Sequence, residues 1–333
     1  MQYSTFAAID IGSYDVILEI FEISKKQGIR SVDKICHRME LGKDTYTLGK
    51  IRPEMEEELC RVLADFVRIM EGYRVDDYRA AASSAISEAS NSLYVLGKIH
   101  QLTGLSVTNS EQRFLSYKAL AAMEDNFNKI IEKGTAILDL DGGSFQISLF
   151  DKDALVTTQN IRMGSLRIRE RLAGIQSETE HYEEMVEELI WNEVSSFKKM
   201  YLKDRKIENI MLIGDVFTDS VYQNIEEKTT KIISRENFNT WYEKIIRQSP
   251  MELAVKLGIP LENASLMYPS AVIYKCLIDM MGAEHIWIPG VHMTRGIAYE
   301  YAEQMKLLKG GHNFENDILM ACPEPGDDSA CHV

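Results

Sequence analysis

Two α/β domains flanking a cleft are the fold class this 333-residue sequence predicts, and three observations predict it. Apolar, strand-like runs alternate along the chain with stretches of helical periodicity. An acidic strand end, a glycine turn and a second apolar run occur together twice, once near the start and once near the middle. The length admits two domains with full cores. The later turn is the more informative: residues 135–138 are apolar, Asp139-Leu140-Asp141-Gly142-Gly143-Ser144 follows, and a second apolar run extends from Ile147 to Phe150. At the N-terminus Ala7-Ala8-Ile9-Asp10-Ile11-Gly12-Ser13 repeats the pattern and leads into an apolar stretch that ends at Ile23. Missing β-carbons let backbone N–H groups approach a phosphate, and an aspartate at the strand end can hold a metal or a water. One Asp-Gly turn usually closes a hairpin and no more. Two of them, each opening one half of the chain, argue for a ligand.

In the first half, strand-like runs cover residues 6–10, 16–23 and 33–41. A helix follows from Pro53, a residue suited to the first helical turn, with Met55, Leu59, Val62, Leu63, Phe66 and Met70 on one face. Residues 78–85 read as a small-residue strand running into a helix over 86–91. Its small side chains permit close approach by a ligand or by a neighbouring element, and both readings stay open. The polar segment 124–133 crosses between halves, which sets the domains at 1–125 and 126–310. In the second half, 178–201 is a long amphipathic helix, 210–214 a short buried strand, 266–281 an apolar helix and 286–289 a late strand. A last helix covers 296–308 and ends at Gly310-Gly311. Ligands generally sit at such a domain boundary.

Apolar content of 45% and charged content of 26% describe an ordinary globular protein, and no run approaches the length of a membrane span. Residues 1–5 lead straight into the first strand, so no signal peptide is expected. The five cysteines (Cys36, Cys60, Cys276, Cys322, Cys331) have neither disulfide nor zinc spacing, and free thiols in a reducing cytoplasm are the expectation. A net charge of −14 argues against nucleic acid as a partner, because phosphate affinity there comes from Lys and Arg. It does not exclude a small phosphorylated substrate, since a basic wall and a divalent cation reverse the sign inside one cleft. The cluster Arg162, Arg167, Arg169 and Arg171 follows the second glycine turn closely. The apolar faces of 182–197 and 266–281 suit either a homodimer contact or core packing.

Five segments carry a resemblance to a known family. Residues 7–20 resemble the first phosphate loop of the exopolyphosphatase / guanosine pentaphosphate phosphatase (Ppx/GppA) family, and residues 82–91 its second motif. Residues 107–117 are similar to the segment that carries its catalytic glutamate, 138–149 to its second phosphate loop, and 164–171 to the stretch after that loop. The likeness spans about residues 6–320 in the right order. It implies two actin-like (ribonuclease H-like) domains of the sugar kinase, chaperone ATPase and actin superfamily, flanking a phosphate-binding cleft. It also implies metal-assisted hydrolysis of a terminal phosphoanhydride in polyphosphate or a guanosine polyphosphate, with Mg²⁺ or Mn²⁺. Residue by residue, Glu111 matches the water-activating glutamate, and Asp139 the metal-holding aspartate. Asp10 or Asp141 is this chain's candidate for a further metal ligand, Asp141 as a replacement for the carboxylate absent at Gln146. Gly12, Ser13, Gly142, Gly143 and Ser144 match the phosphate loops. Arg167 contacts phosphate on this reading; a salt bridge with a nearby carboxylate such as Glu170 is the alternative. Residues 312–319 resemble the linker that leads, in longer relatives, into a helical metal-dependent domain. The expectation is therefore a short form with a partly disordered tail over 311–333.

Departures from the family's pattern bear on activity. Tyr14 and Asp15 stand where the family has Asn-Ser, Ser87 where it has arginine, and Gln146 where it has glutamate. Asp141 replaces the first of three glycines, Phe145 a threonine, and Val216-Phe217 a later Gly-Gly. Asn263 and Ser265 stand for an Arg and an Asp. Asp141 beside a phosphate is repulsive by about 4 kcal/mol at 4 Å and intermediate dielectric, and a divalent cation between them reverses that sign. Tyr14 has two readings, stacking on a base or plugging the cleft. The implied activity is thus a phosphohydrolase, and its alternative a weakened relative that binds a phosphorylated ligand.

Overall fold

In a computed structural model, which describes residues 3–108, 127–173, 181–203, 205–214, 217, 218, 220 and 232–307, two mixed sheets form the centres of two lobes. The first contains β1 (Ser4–Ile11), β2 (Asp15–Ser24), β3 (Gly28–Arg38), β4 (Asp77–Ala82) and β5 (Val107–Thr108) in the order β3-β2-β1-β4-β5. β1 to β3 make an antiparallel meander, and β4 and β5 add in parallel. The second contains β6 (Thr135–Leu140), β7 (Phe145–Asp151), β8 (Ala154–Ile161), β9 (Asn209–Ile213), β10 (Ile232–Ser234) and β11 (His285–Trp287). Its order is β10-β11-β9-β6-β7-β8. Again three strands make an antiparallel meander, β9 and β11 add in parallel, and β10 closes the edge. The lobes repeat one topology, and each glycine turn is the first hairpin of its sheet.

The central strands are buried on both faces, which explains their unbroken apolar character. Ala7, Ile9 and Ile11 of β1 join the core beneath the helix Pro53–Tyr73. That helix buries Leu59, Val62, Leu63, Phe66 and Met70, as its periodicity predicts. On the opposite face Phe6 and Ala8 pack against Ile297, Ala298 and Tyr301 of the helix Met293–Gln304. The Phe6 and Tyr301 rings stack at 4.1 Å, and Arg79 pairs with Glu300 at 2.9 Å. The last helix therefore covers the first sheet, although the division at residue 126 assigns it to the second half.

In the second lobe the helix Tyr182–Phe197 buries Val186, Ile190, Val194 and Phe197. The helix Leu261–Met281 starts earlier than its apolar run and continues through Pro269. Leu266, Met267, Val272, Ile273 and Leu277 are buried in it, so most of that apolar face is core. Among the described residues no helix is long and apolar enough to cross a membrane.

Three elements depart from the sequence expectations. The strand expected over 33–41 ends at Arg38, and a short helix, Leu41–Leu48, follows it, stopped by Gly49 at φ 71°. The helix expected over 86–91 is split into Ser84–Ser87 and Ser92–Thr103. Ser83 caps the first piece through the Ala85 N–H. β8 carries Thr157, Thr158, Gln159 and Asn160, a polar run without the apolar character that marks the central strands.

Candidate active site

The two glycine turns meet. Ser13 Oγ donates to Asp141 Oδ2 at 3.2 Å across the lobes, and a β-carbon on Gly142 would stand 3.1 Å from that of Ser13. Beside this contact opens a cleft of about 390 Å³. Asp10, Gly12 and Asp15 line it from the first lobe, and Asp139, Asp141 and Gly142 from the second. Of the sequence-predicted residues, Asp10, Gly12, Asp139, Asp141 and Gly142 thus converge, with Ser13 bonded at their edge. Gly143, Ser144 and Arg167 stand off the lining. Glu111 lies outside the described residues.

The acidic side of this cleft is under electrostatic strain. Burial, followed by the charges of Asp141, Asp15 and Asp139, holds Asp10 well above the usual carboxylate range. Burial also raises Asp15 and Asp141. Opposing that rise, Asp141 accepts from the backbone N–H groups of Gly142 and Gly143 as well as from Ser13. Donors from both loops therefore converge on one protein carboxylate, in the manner of donors to a phosphoryl oxygen. Gly214, at φ 101°, lets the backbone pass against Asp139, since a β-carbon there would overlap Asp139 Oδ1. Gln146 pairs directly opposite Asp139 across β6 and β7, so a neutral amide neighbours that carboxylate. The hard oxygen donors suit Mg²⁺ or Mn²⁺. Among the described residues no three acids stand in a ligating group, but Mg²⁺ needs only one or two carboxylates besides water and substrate phosphates. Asp10 and Asp139 fit that requirement.

A second set of residues clamps the loops from behind. Arg167 donates from Nε to the Gly143 carbonyl at 2.8 Å and from Nη2 to Glu88 at 2.8 Å. Its guanidinium lies 3.9 Å from the Tyr46 ring centroid. Tyr46 Oη in turn bonds Ser13 at 2.7 Å and Ser84 at 2.8 Å. Arg167 therefore forms the salt bridge with a nearby carboxylate that is its alternative reading, and the carboxylate is Glu88, not Glu170. Glu170 pairs with Arg169, which also reaches Glu40 of the first lobe at 2.8 Å and Ser265 at 2.8 Å. The basic cluster after the second turn is thus an ion-pair clamp between lobes. Residues 165 and 167 donate their backbone N–H groups to the carbonyls of Asp141 and Gly142, which ties the helix Ser165–Leu172 to the loop.

Two repeated lobes, each with a glycine turn, place two strand-end aspartates in the cleft between them. The Ppx/GppA phosphatase family model matches residues 19–305. The chain belongs to this family. Among solved structures, a Ppx/GppA family member from Aquifex aeolicus is 18% identical, with a TM-score of 0.73, covering 91% of this chain and 99% of that one. An exopolyphosphatase from Cytophaga hutchinsonii is 17% identical, with a TM-score of 0.80 and coverage of 92% and 100%. These likenesses establish the two-lobed α/β fold. A bifunctional 3-dehydroquinate synthase/phosphatase of Fusobacterium nucleatum is 21% identical over 310 residues, 84% of this chain. The chain spans 44% of that relative's length.

Within the Ppx/GppA fold, two of the departures pair with one another. Tyr14 donates to Asn263 Oδ1 at 2.5 Å, so two altered positions, 249 residues apart, join the lobes at the rim of the cleft. The Tyr14 side chain packs with Leu166 and Leu266, and burial pushes its phenol far above the ordinary value. Of its two readings, the structure gives the plug. Ser265 takes the Arg169 guanidinium, and Phe217 fills the second core against Phe238 and Tyr274, at centroid distances of 5.8 and 5.4 Å. Asp15, one of the departures, lines the cleft, and so do Lys34 and Arg38, which are not among the sequence-predicted residues. The signal for Lys34 and Arg38 is the period of two along β3, where residues 34, 36 and 38 share one face.

Proposed function

We propose that the chain is a phosphohydrolase that releases the terminal phosphate of inorganic polyphosphate or of guanosine pentaphosphate. The observation that carries this reading is the convergence of Asp10, Gly12, Asp139 and Gly142, from two lobes of one topology, on a single cleft. The amides of the Gly12 and Gly142 turns would hold the phosphoryl oxygens, and Glu111 would orient or deprotonate the attacking water. Asp10 and Asp139 would hold Mg²⁺ or Mn²⁺, which supplies neutralising charge on the phosphoryl oxygens. The phosphatase half of the name borne by the Fusobacterium relative supports the reaction class and leaves the substrate to be chosen by assay. That assay measures phosphate release from polyphosphate and guanosine pentaphosphate with Mg²⁺, with Mn²⁺ and with EDTA. Release from either substrate that EDTA abolishes is the expected result. Absence of release in every arm would remove the hydrolase.

A second reading, a weakened enzyme that binds a phosphorylated ligand, is favoured by the Asp141 carboxylate that takes up donors of both loops. Asp141→Gly is expected to bind orthophosphate about tenfold more tightly in EDTA, since it frees those donors and removes about 1.4 kcal/mol or more of repulsion. Calorimetry reads this directly. Unchanged affinity would mean that the carboxylate does not occupy the anion position.

A further inference from the structure

The cleft is polarised. Its acidic side holds Asp10, Asp139 and Asp141, while β3 presents Lys34, Cys36 and Arg38 to the same space, with the Asp15 carboxylate beside Cys36 as the one acid on that side among the described residues. Alternation along the strand puts these three side chains on one face, and register pairs Arg38 with Asp15, next to the first glycine turn. The row runs from there to Lys34 over a length on the order of 13 Å. Arg38 Nη1 is buried and finds no hydrogen-bond partner. A buried guanidinium N–H left without an acceptor is unfavourable, and charge makes it more so. The side chain is nevertheless held in place, with its guanidinium 5.1 Å from the centroid of the Tyr14 ring, which is itself tied to Asn263. Lys34, further along, makes no ion pair with any described residue.

We infer that Lys34 and Arg38 form a second anion subsite, which takes the non-reacting phosphates of a linear oligophosphate whose terminal unit lies at the glycine turns. This inference rests on the phosphate-binding reading of the cleft. The planar fork of Arg38 suits two oxygens of one phosphate, and the mobile ammonium of Lys34 a further unit of the chain. Cys36, between them, donates to Asp15 Oδ2 at 3.4 Å. Burial and the Asp15 charge push its thiol up to about 12, so it adds no negative charge to the row. A substrate with a single phosphate would reach only the loop end. The cleft therefore selects for chain length, with β3 as the gauge.

The test is calorimetry with two probes in Mg²⁺, orthophosphate and imidotriphosphate, a tripolyphosphate analogue with nitrogen bridges that resist hydrolysis. Arg38→Ala is expected to weaken the analogue by about 10- to 100-fold and Lys34→Ala by about 3- to 10-fold, with orthophosphate changed less than about twofold. Arg38→Lys, which keeps the charge and loses the fork, is expected to fall between wild type and Arg38→Ala, and carries the test should the alanine variant not fold. Equal losses for both probes, unchanged affinity for the analogue, or a wild type that does not bind it would each overturn the subsite. Phosphate release by wild type is a separate readout. Arg38-dependent binding without release keeps the subsite and removes the hydrolase, and release with Arg38-independent binding does the reverse.

Discussion

Glu111→Gln is expected to lower phosphate release by about 10²- to 10⁴-fold, the usual contribution of a positioned general base. The substitution keeps the size and shape of the side chain and removes only its ability to take a proton from water. On the proposed reading substrate affinity comes from other groups of the cleft, so the loss should fall on kcat with little change in KM. The thermal midpoint should stay close to that of wild type. Steady-state kinetics on the preferred substrate, with a melting curve beside them, reads both. A variant with wild-type turnover would detach Glu111 from the chemistry and leave the resemblance over residues 107–117 without a catalytic meaning. A fall in kcat with a large rise in KM would make it a binding residue. The three outcomes separate cleanly because a phosphoryl transfer offers the protein little to do beyond positioning, charge stabilisation and this one proton.

How much of this site was legible in the sequence depended on whether a feature is local. The turns after Asp10 and Asp139 were legible because apolar runs, an acidic strand end and missing β-carbons lie within ten residues of one another, and because the pattern occurs twice. Their meeting in one cleft follows from the repeated topology. The partner of Arg167 was not legible. Proximity along the chain suggests Glu170, whereas its carboxylate partner, Glu88, lies 79 residues away in the other lobe. Tyr14 and Asn263 are a similar case, since each departs from the family's pattern alone and only their contact explains the pair. The helix Met293–Gln304 shows what a division by position along the chain leaves open, since its Ile297, Ala298 and Tyr301 pack on the first sheet. An apolar stripe tells how wide a buried face is, and nothing about which sheet it covers. Arg38 and Lys34 were hidden by their own strand, an edge strand with many exposed positions, where charged side chains are ordinary.

Gly164→Ala is expected to destabilise the protein by about 3 kcal/mol or more and to lower phosphate release by about 100-fold. The backbone at this position, φ −80° and ψ 168°, is open to any residue, so the effect is not one of dihedral strain. It is one of space: a β-carbon would overlap the Asp141 carbonyl oxygen, the Gly142 carbonyl carbon and the Ser144 nitrogen. All three are backbone atoms of the second glycine turn, so no side-chain rotation relieves the overlap. The turn or the helix Ser165–Leu172 has to move, and the two are joined by the bonds from the Ser165 and Arg167 N–H groups to the turn's carbonyls. Displacing them carries Asp141 and Gly142 away from Ser13 and breaks the alignment of the two loops. Gly97→Ala is the control. It lies inside the helix Ser92–Thr103, with nothing within 4 Å of the added carbon, and should stabilise by about 0.5–1 kcal/mol with activity unchanged. Denaturant melts and phosphate release on the two variants give the comparison. Equal stability in both would show that the turn yields easily at Gly164, and the packed loop contact would then be no determinant of the site.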